Sequence, residues 1–126
     1  MITVDSSVLI GILRDEHGSA AWLDEPGQDY AMSAVNLQEV IVKTLSLEVD
    51  QASVEALIGR LQLVIIPHDE AHARRAAALW PLVSHRGLSL GDRACLALAQ
   101  TLDTPVLTAG RLWADLAIGV DIRLVR

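Results

Sequence analysis

The chain has 126 residues, the usual size of one compact domain, so we expect residues 1–126 to form a single domain. Hydrophobic residues make up 52% of it, charged residues make up 21% and the mean hydropathy is +0.37, which excludes a disordered chain. No secretory signal pattern and no apolar run of membrane-spanning length occur, which predicts a cytoplasmic protein with no membrane partner. A single cysteine excludes an internal disulfide and a cysteine zinc cluster.

The net charge of −6 is unevenly distributed along the chain. Residues 1–70 carry 12 acidic and 3 basic side chains, whereas residues 71–126 carry 4 acidic and 7 basic side chains. Nine of the ten basic residues are arginines, whose guanidinium groups make paired hydrogen bonds with phosphate or carboxylate. The second half could therefore bind nucleic acid, although ordinary surface charge explains the same asymmetry.

Short β-branched runs alternate with helical stretches along the chain. The predicted strands are residues 2–5, 30–32, 63–66, 105–108 and 121–125. The predicted helices are residues 6–14, 19–23, 34–49, 50–61, 69–83, 89–102 and 111–117. Such alternation predicts a three-layer α/β/α fold, in which a central parallel sheet of about five strands has helices on both faces.

Two of these elements are apolar enough to indicate where they lie. Residues 63–66 form a continuous apolar run that Pro67 ends, which is typical of a strand covered on both faces, and we expect a central strand here. The helix at residues 89–102 is apolar almost all round, which predicts a buried helix.

Three acidic residues are candidates for a site at the carboxyl ends of the strands, where ligands bind in open parallel sheets. Asp5 ends the first predicted strand, Glu39 lies on a helix, and Asp92 lies at the start of the apolar helix. Each also has a purely structural interpretation. Asp5 can cap a helix, Asp92 can complete a capping box with Ser89, and Glu39 can pair with Lys43 one turn away.

Several segments taken together resemble a PIN domain, and in particular the VapC-like toxins of type II toxin–antitoxin modules. These segments are ITVDSS at residues 2–7, SAVNLQEV at 33–40, LSLGDRACLALA at 88–99, VLTAGRLW at 106–113 and GVD at 119–121. The resemblance covers essentially the whole chain. It implies an endoribonuclease that cleaves single-stranded or structured RNA with Mg²⁺ or Mn²⁺, a cognate antitoxin as partner, and a homodimer.

The resemblance also implies roles for individual residues. It places Asp5, Glu39 and Asp92 at the catalytic and metal-binding positions, and oxygen ligands of this kind suit Mg²⁺. The residues expected to line the substrate pocket are Ser6, Asn36 and Thr108. Because the pocket is acidic, RNA affinity must come from basic groups elsewhere. The candidates for contacts with the RNA backbone are Arg74, Arg75, Arg86, Arg93 and Arg111.

One position departs from the family pattern. The family usually has an acidic residue two positions after the threonine of the fourth strand, where this chain has Gly110 after Thr108. Asp115 is a candidate to reach the metal instead, partly or through water, and is otherwise a plain surface aspartate. The departure leaves open a catalytically weakened PIN module that acts mainly by binding an antitoxin or RNA.

Two further patterns suggest other chemistry. An aspartate after the first strand also occurs in phosphoaspartyl enzymes and receivers, but these need a lysine near the phosphate, and the only lysine, Lys43, lies in the middle of a predicted helix. His68 and His72 have a spacing that can hold a metal ion, but no third ligand is evident, so we expect surface histidines.

Overall fold

A computed structural model of the chain describes residues 1–14 and 27–125. The strands in these ranges are β1 (Ile2–Val4), β2 (Tyr30–Ser33), β3 (Val64–Ile66), β4 (Val106–Thr108) and β5 (Ile122–Leu124). The α-helices are α1 (Ser6–Leu13), α2 (Ala34–Ser46), α3 (Gln51–Leu61), α4 (Glu70–Ala78), α5 (Trp80–Val83) and α6 (Leu90–Leu102). Two 3₁₀-helices cover Ser84–Arg86 and Arg111–Trp113. The helix predicted at residues 19–23 lies outside the described residues.

The five strands form one parallel sheet in the order β3-β2-β1-β4-β5. The central strand is β1, in which Ile2 lies opposite Tyr30 of β2 and Val4 lies opposite Leu107 of β4. The predicted parallel sheet of about five strands is therefore confirmed. Because all strands run in the same direction, their carboxyl ends meet at one edge of the sheet.

Helices pack on both faces of the sheet and bury two hydrophobic clusters. One cluster includes buried side chains of α1, α2 and α3, such as the fully buried Val40. The other includes buried side chains of α4, α5 and α6, such as the fully buried Leu96. Removing this apolar surface from water is the main favourable contribution to folding, and it produces the three layers that the sequence predicted.

The prediction that residues 63–66 form a central strand is wrong. In the structure β3 is an edge strand that pairs only with β2, and Val64 is 44% exposed. A short apolar run shows that a strand is partly buried, but it does not specify the strand order, which depends on how the intervening helices pack.

Residues 69–83 form two helices rather than the single helix predicted. Helix α4 ends at Ala78, and Pro81 lies in the first turn of α5. Proline has no backbone N–H to donate to the carbonyl four residues earlier, and its ring clashes with that carbonyl. The helix is therefore interrupted at Leu79, two residues before the proline.

Helix α6 is buried along its middle, as predicted. Residues 94–99 are buried, although Leu90 and Leu102 at the two ends are exposed. Cys95 has no exposed surface, and burial raises the pKa of its thiol well above the ordinary value, which is the behaviour of a core residue. In the described ranges, none of the helices has the length and hydropathy needed to cross a membrane.

Candidate active site

The carboxyl ends of β1 and β4 bring Asp5 and Thr108 together. Asp5 follows β1 directly, and its backbone N–H donates to the carbonyl of Leu107 at 3.0 Å. The Thr108 hydroxyl donates to Oδ2 of Asp5 at 2.9 Å, and the Ser7 hydroxyl donates to the same oxygen at 2.6 Å. Two hydroxyl groups therefore fix the orientation of this carboxylate.

Asp5 is a buried carboxylate with one unused oxygen. It is 4% exposed, and Oδ1 is buried without a hydrogen-bond partner. It occupies the N-cap position of α1, yet its side chain makes no capping hydrogen bond. The pKa of Asp5 is raised to about 6: burial is the largest cause and the charges of Asp92 and Glu39 add to it, while the hydrogen bonds from Ser7 and Thr108 oppose it.

Glu39 on α2 contacts Ser6, the residue that follows Asp5 in the sequence. Its Oε1 accepts hydrogen bonds from the Ser6 hydroxyl at 3.1 Å and from Asn36 Nδ2 at 2.9 Å. Asn36 also donates to the carbonyl of Gly91 at 3.0 Å, and its Oδ1 is buried without a partner. Within the described residues no ion pair joins Glu39 to Lys43.

Asp92 lies in the first turn of α6 and completes a capping box. Its Oδ2 accepts from the backbone N–H of Ser89 at 2.8 Å, and the Ser89 hydroxyl accepts from the backbone N–H of Asp92 at 3.2 Å. The structural interpretation of this residue is thus correct, but it engages only one carboxylate oxygen. The negative charge of Asp92 also contributes to the raised pKa of Asp5.

Gly91 allows Glu39 to approach the start of α6. A Cβ atom built on Gly91 would overlap the Glu39 carboxylate. Neither Gly91 nor Ser7 was predicted from the sequence as a residue of the site. No sequence pattern marks either residue. Gly91 acts because it has no side chain, and Ser7 acts by donating a hydrogen bond to Asp5, two positions earlier.

A cleft of about 720 Å³ opens next to Glu39, between α1, α2 and the start of α6. Its polar wall includes Ser6, Glu39, Lys43 and Ser89, and the rest of the wall is largely apolar. Of the three candidate carboxylates, Glu39 is the one that lines this cleft.

Asp115 does not join the carboxylates around Asp5. Its side chain is 75% exposed and forms an ion pair with Arg86, which lowers the pKa of Asp115. Gly110 lies nearer the site, because its backbone N–H donates to the Thr108 hydroxyl at 2.9 Å. The structure thus places no carboxylate at the position that the family usually makes acidic.

The five arginines expected to contact RNA have different surroundings. Arg74 and Arg86 form ion pairs with Glu70 and Asp115. No acidic partner is found in the described ranges for three others: Arg75, Arg93 and Arg111. Of these three, Arg93 is the one that adjoins a candidate carboxylate in the sequence, since it directly follows Asp92.

The donor set fits a hard divalent cation such as Mg²⁺ or Mn²⁺. The buried Oδ1 atoms of Asp5 and Asn36 both lack partners, and oxygen donors are what such ions prefer. In the described ranges, however, no three Asp, Glu, His or Cys side chains are arranged to hold one ion directly. Since these side chains are not arranged around one point, joint coordination by Asp5, Glu39 and Asp92 requires some of them to reorient.

Comparison with known proteins agrees with this fold. The family model described as "PIN domain" matches residues 2–119, so the chain belongs to the PIN domain family. No curated protein sequence matches it.

Three solved structures illustrate the likeness. A toxin–antitoxin complex from Klebsiella pneumoniae contains a chain with 24% identity and a TM-score of 0.74, with 95% of both chains covered. The DNA-bound VapBC from Salmonella typhimurium gives 18% identity and a TM-score of 0.78 over 100% of both chains. Mycobacterium tuberculosis VapC20, a sarcin–ricin loop cleaving toxin, gives 17% identity and a TM-score of 0.75 over 96% of this chain and 99% of that one. At these identities the likeness concerns the fold.

Proposed function

We propose that the chain is a metal-dependent endoribonuclease that cleaves single-stranded RNA. The observation that carries this proposal is the buried carboxylate of Asp5, whose Oδ1 has no partner and which lies within the electrostatic reach of Glu39 and Asp92. Membership of the PIN family and a fold shared with a toxin that cleaves the sarcin–ricin loop support the same chemistry.

Asp5, Glu39 and Asp92 would hold Mg²⁺ or Mn²⁺. The ion supplies charge neutralisation at the scissile phosphate and activation of a water molecule. Ser7 and Thr108 bind Oδ2 of Asp5 and so keep Oδ1 directed away from them. Ser6 and Asn36 position Glu39, which serves as a ligand or as the general base.

Cleavage of a labelled single-stranded RNA in Mg²⁺, Mn²⁺ or EDTA tests this proposal. We expect cleavage with either metal ion, none in EDTA, and none from Asp5→Asn or Asp92→Asn protein that has a normal circular dichroism spectrum. Asp121→Asn is the matched control, since Asp121 is exposed and pairs with Arg123. Undiminished cleavage in EDTA or by Asp5→Asn would refute the mechanism.

A second candidate function is a catalytically weakened PIN module that acts by binding an antitoxin or RNA. It is favoured by Gly110, where the family usually has an acid, and by the ion pair that holds Asp115 at Arg86. The backbone of Gly110 has φ −80° and ψ 106°, which any residue adopts, and its Cβ would lie 3.2 Å from Nε1 of Trp113. Gly110→Asp should raise cleavage strongly if the site is weakened and change it little otherwise.

We also propose that the chain is the toxin of a type II toxin–antitoxin module and forms a homodimer. Structures of similar fold include toxin–antitoxin and VapBC complexes. The apolar wall of the 720 Å³ cleft, together with the exposed Val42 and Leu90, suits an antitoxin segment that covers the carboxylates. Toxicity on expression that the product of an adjacent small reading frame relieves would support this role, and light scattering of the purified chain would test the dimer.

A further inference from the structure

A second cavity lies beside the start of α6, on the side facing α4. It has a volume of about 280 Å³, and the residues that line it are His68, Ala73, Ala76, Ala77, Leu90 and Arg93. Leu90 also lines the 720 Å³ cleft that contains Glu39 and Gly91. Leu90 therefore lies at the boundary between the two cavities, and an extended strand that runs from the cleft of Glu39 into the second cavity crosses it.

The charge of this cavity is suited to an anion. Among the described residues that line it, Arg93 is the only one with a formal charge, and none is a carboxylate. Unlike Arg74 and Arg86, Arg93 has no acidic partner in the described ranges, and its Nε makes only a 3.4 Å hydrogen bond to the carbonyl of Ser89. Its guanidinium group can therefore bind a phosphate without breaking an ion pair.

His68 adds a hydrogen-bond donor to the same cavity. Its Nδ1 is buried without a partner, so a proton on Nδ1 would leave a buried donor unsatisfied. With the ring proton on Nε2, that nitrogen is the donor that His68 can offer to a ligand in the cavity. His72 packs behind it, with the ring centroids 6.2 Å apart, and is 8% exposed, so it is buried rather than the surface histidine expected from the sequence.

We propose that His68 and Arg93 form a subsite for the nucleotide of the RNA substrate that lies next to the scissile phosphate on the α4 side. Arg93 binds the phosphate of that nucleotide, Nε2 of His68 donates a hydrogen bond to it, and Leu90 with the three alanines packs against its base or ribose. This subsite rests on the proposed ribonuclease function, because it assumes that RNA binds at the carboxylates.

Binding of fluorescent single-stranded RNA to Asp5→Asn protein tests the subsite without cleavage. We expect Arg93→Gln to raise the dissociation constant roughly tenfold and to reduce the slope of log affinity against log salt by about 0.7, the value for one phosphate contact on a single strand. His68→Phe should raise the dissociation constant roughly fivefold without changing that slope, since it removes a neutral donor. Arg123→Gln, an equal charge change on β5, should leave both quantities unchanged.

Shortened RNAs make the test specific for one nucleotide. Removing the nucleotide next to the cleavage position on one side should weaken binding to the parent protein, but should not weaken binding to Arg93→Gln any further. If Arg93→Gln and His68→Phe bind like Arg123→Gln, or if their effects persist unchanged on both shortened RNAs, the subsite is wrong. Cleavage by protein that retains Asp5 is measured separately, so failure of the nuclease proposal is distinguished from failure of the subsite.

Discussion

At the scale of single residues, Asp5 is a carboxylate that the fold withdraws from water. The described groups that act on it are two hydroxyls and two further carboxylates, none of them basic. A buried carboxylate in such surroundings favours its protonated form, and binding a divalent cation reverses this preference. Burial of this one side chain therefore links folding to pH, and links both to the proposed metal binding.

Asp5→Asn should stabilise the metal-free protein at neutral pH. The pKa of Asp5 is about 6 in the folded chain and 3.8 for an ordinary aspartate, such as the one in the unfolded chain. Between these pH values the folded state binds more protons, so its stability falls as pH rises. The full loss is about 3 kcal/mol at most, reached above pH 6. Urea denaturation in EDTA should show the variant more stable than the parent at pH 7.5 and equal to it near pH 4. Equal stability at both would contradict the buried-charge assignment.

Gly91→Ala should disturb the site through Glu39. Its new Cβ occupies the space of the Glu39 carboxylate, so we expect weaker Mg²⁺ binding and at least tenfold slower cleavage. Gly59→Ala is the matched control, because nothing lies within 4 Å of its Cβ on α3 and alanine favours the helix by about 1 kcal/mol. Comparable activity of the two variants would show that Glu39 is not held against α6.

At the scale of elements, the start of α6 combines a capping box with a candidate ligand. Asp92 uses Oδ2 for the cap, and an asparagine could still accept that hydrogen bond through its side-chain oxygen. The capping role of Asp92 can therefore be tested separately from its proposed role as a metal ligand, by changing Ser89 in one variant and Asp92 in another.

Ser89→Ala should lower stability by about 1 kcal/mol while leaving cleavage largely intact, since it removes the hydroxyl of the cap but no carboxylate. Asp92→Asn should have the opposite effect, with small loss of stability and loss of cleavage. Thermal denaturation and RNA cleavage measured on both variants check this pair of outcomes. If both variants lose activity in proportion to stability, Asp92 acts only as a cap.

At the scale of the whole molecule, Mg²⁺ should stabilise the fold in a pH-dependent way. A ligand at 100 times its dissociation constant stabilises a protein by about 2.7 kcal/mol. In the proposed site the ion binds the ionised form of Asp5, whose pKa is about 6, so the gain should be large at pH 8 and small at pH 5. Denaturation midpoints with and without Mg²⁺ measure it. A gain that Asp5→Asn retains would place the ion elsewhere.

The PIN family's segments and the alternation of strands and helices were enough to predict the parallel sheet. Local chemistry also identified the capping box of Ser89 and Asp92, because a hydroxyl and an acid three residues apart satisfy each other's backbone groups. Strand order was not predictable in the same way. β3 lies at the edge because helix packing, rather than its apolar composition, decides which strand becomes its neighbour.

The sequence by itself determined the fold class, the acidic candidates and the departure at Gly110, because periodicity and residue type are local properties of a chain. Only the tertiary structure decided that Ser7 and Thr108 donate to the same oxygen of Asp5. It also decided that the Glu39 carboxylate lies against the backbone of Gly91, and that Asp115 pairs with Arg86. These contacts join residues up to 103 positions apart. The packing of strands and helices, rather than spacing along the chain, sets their distances.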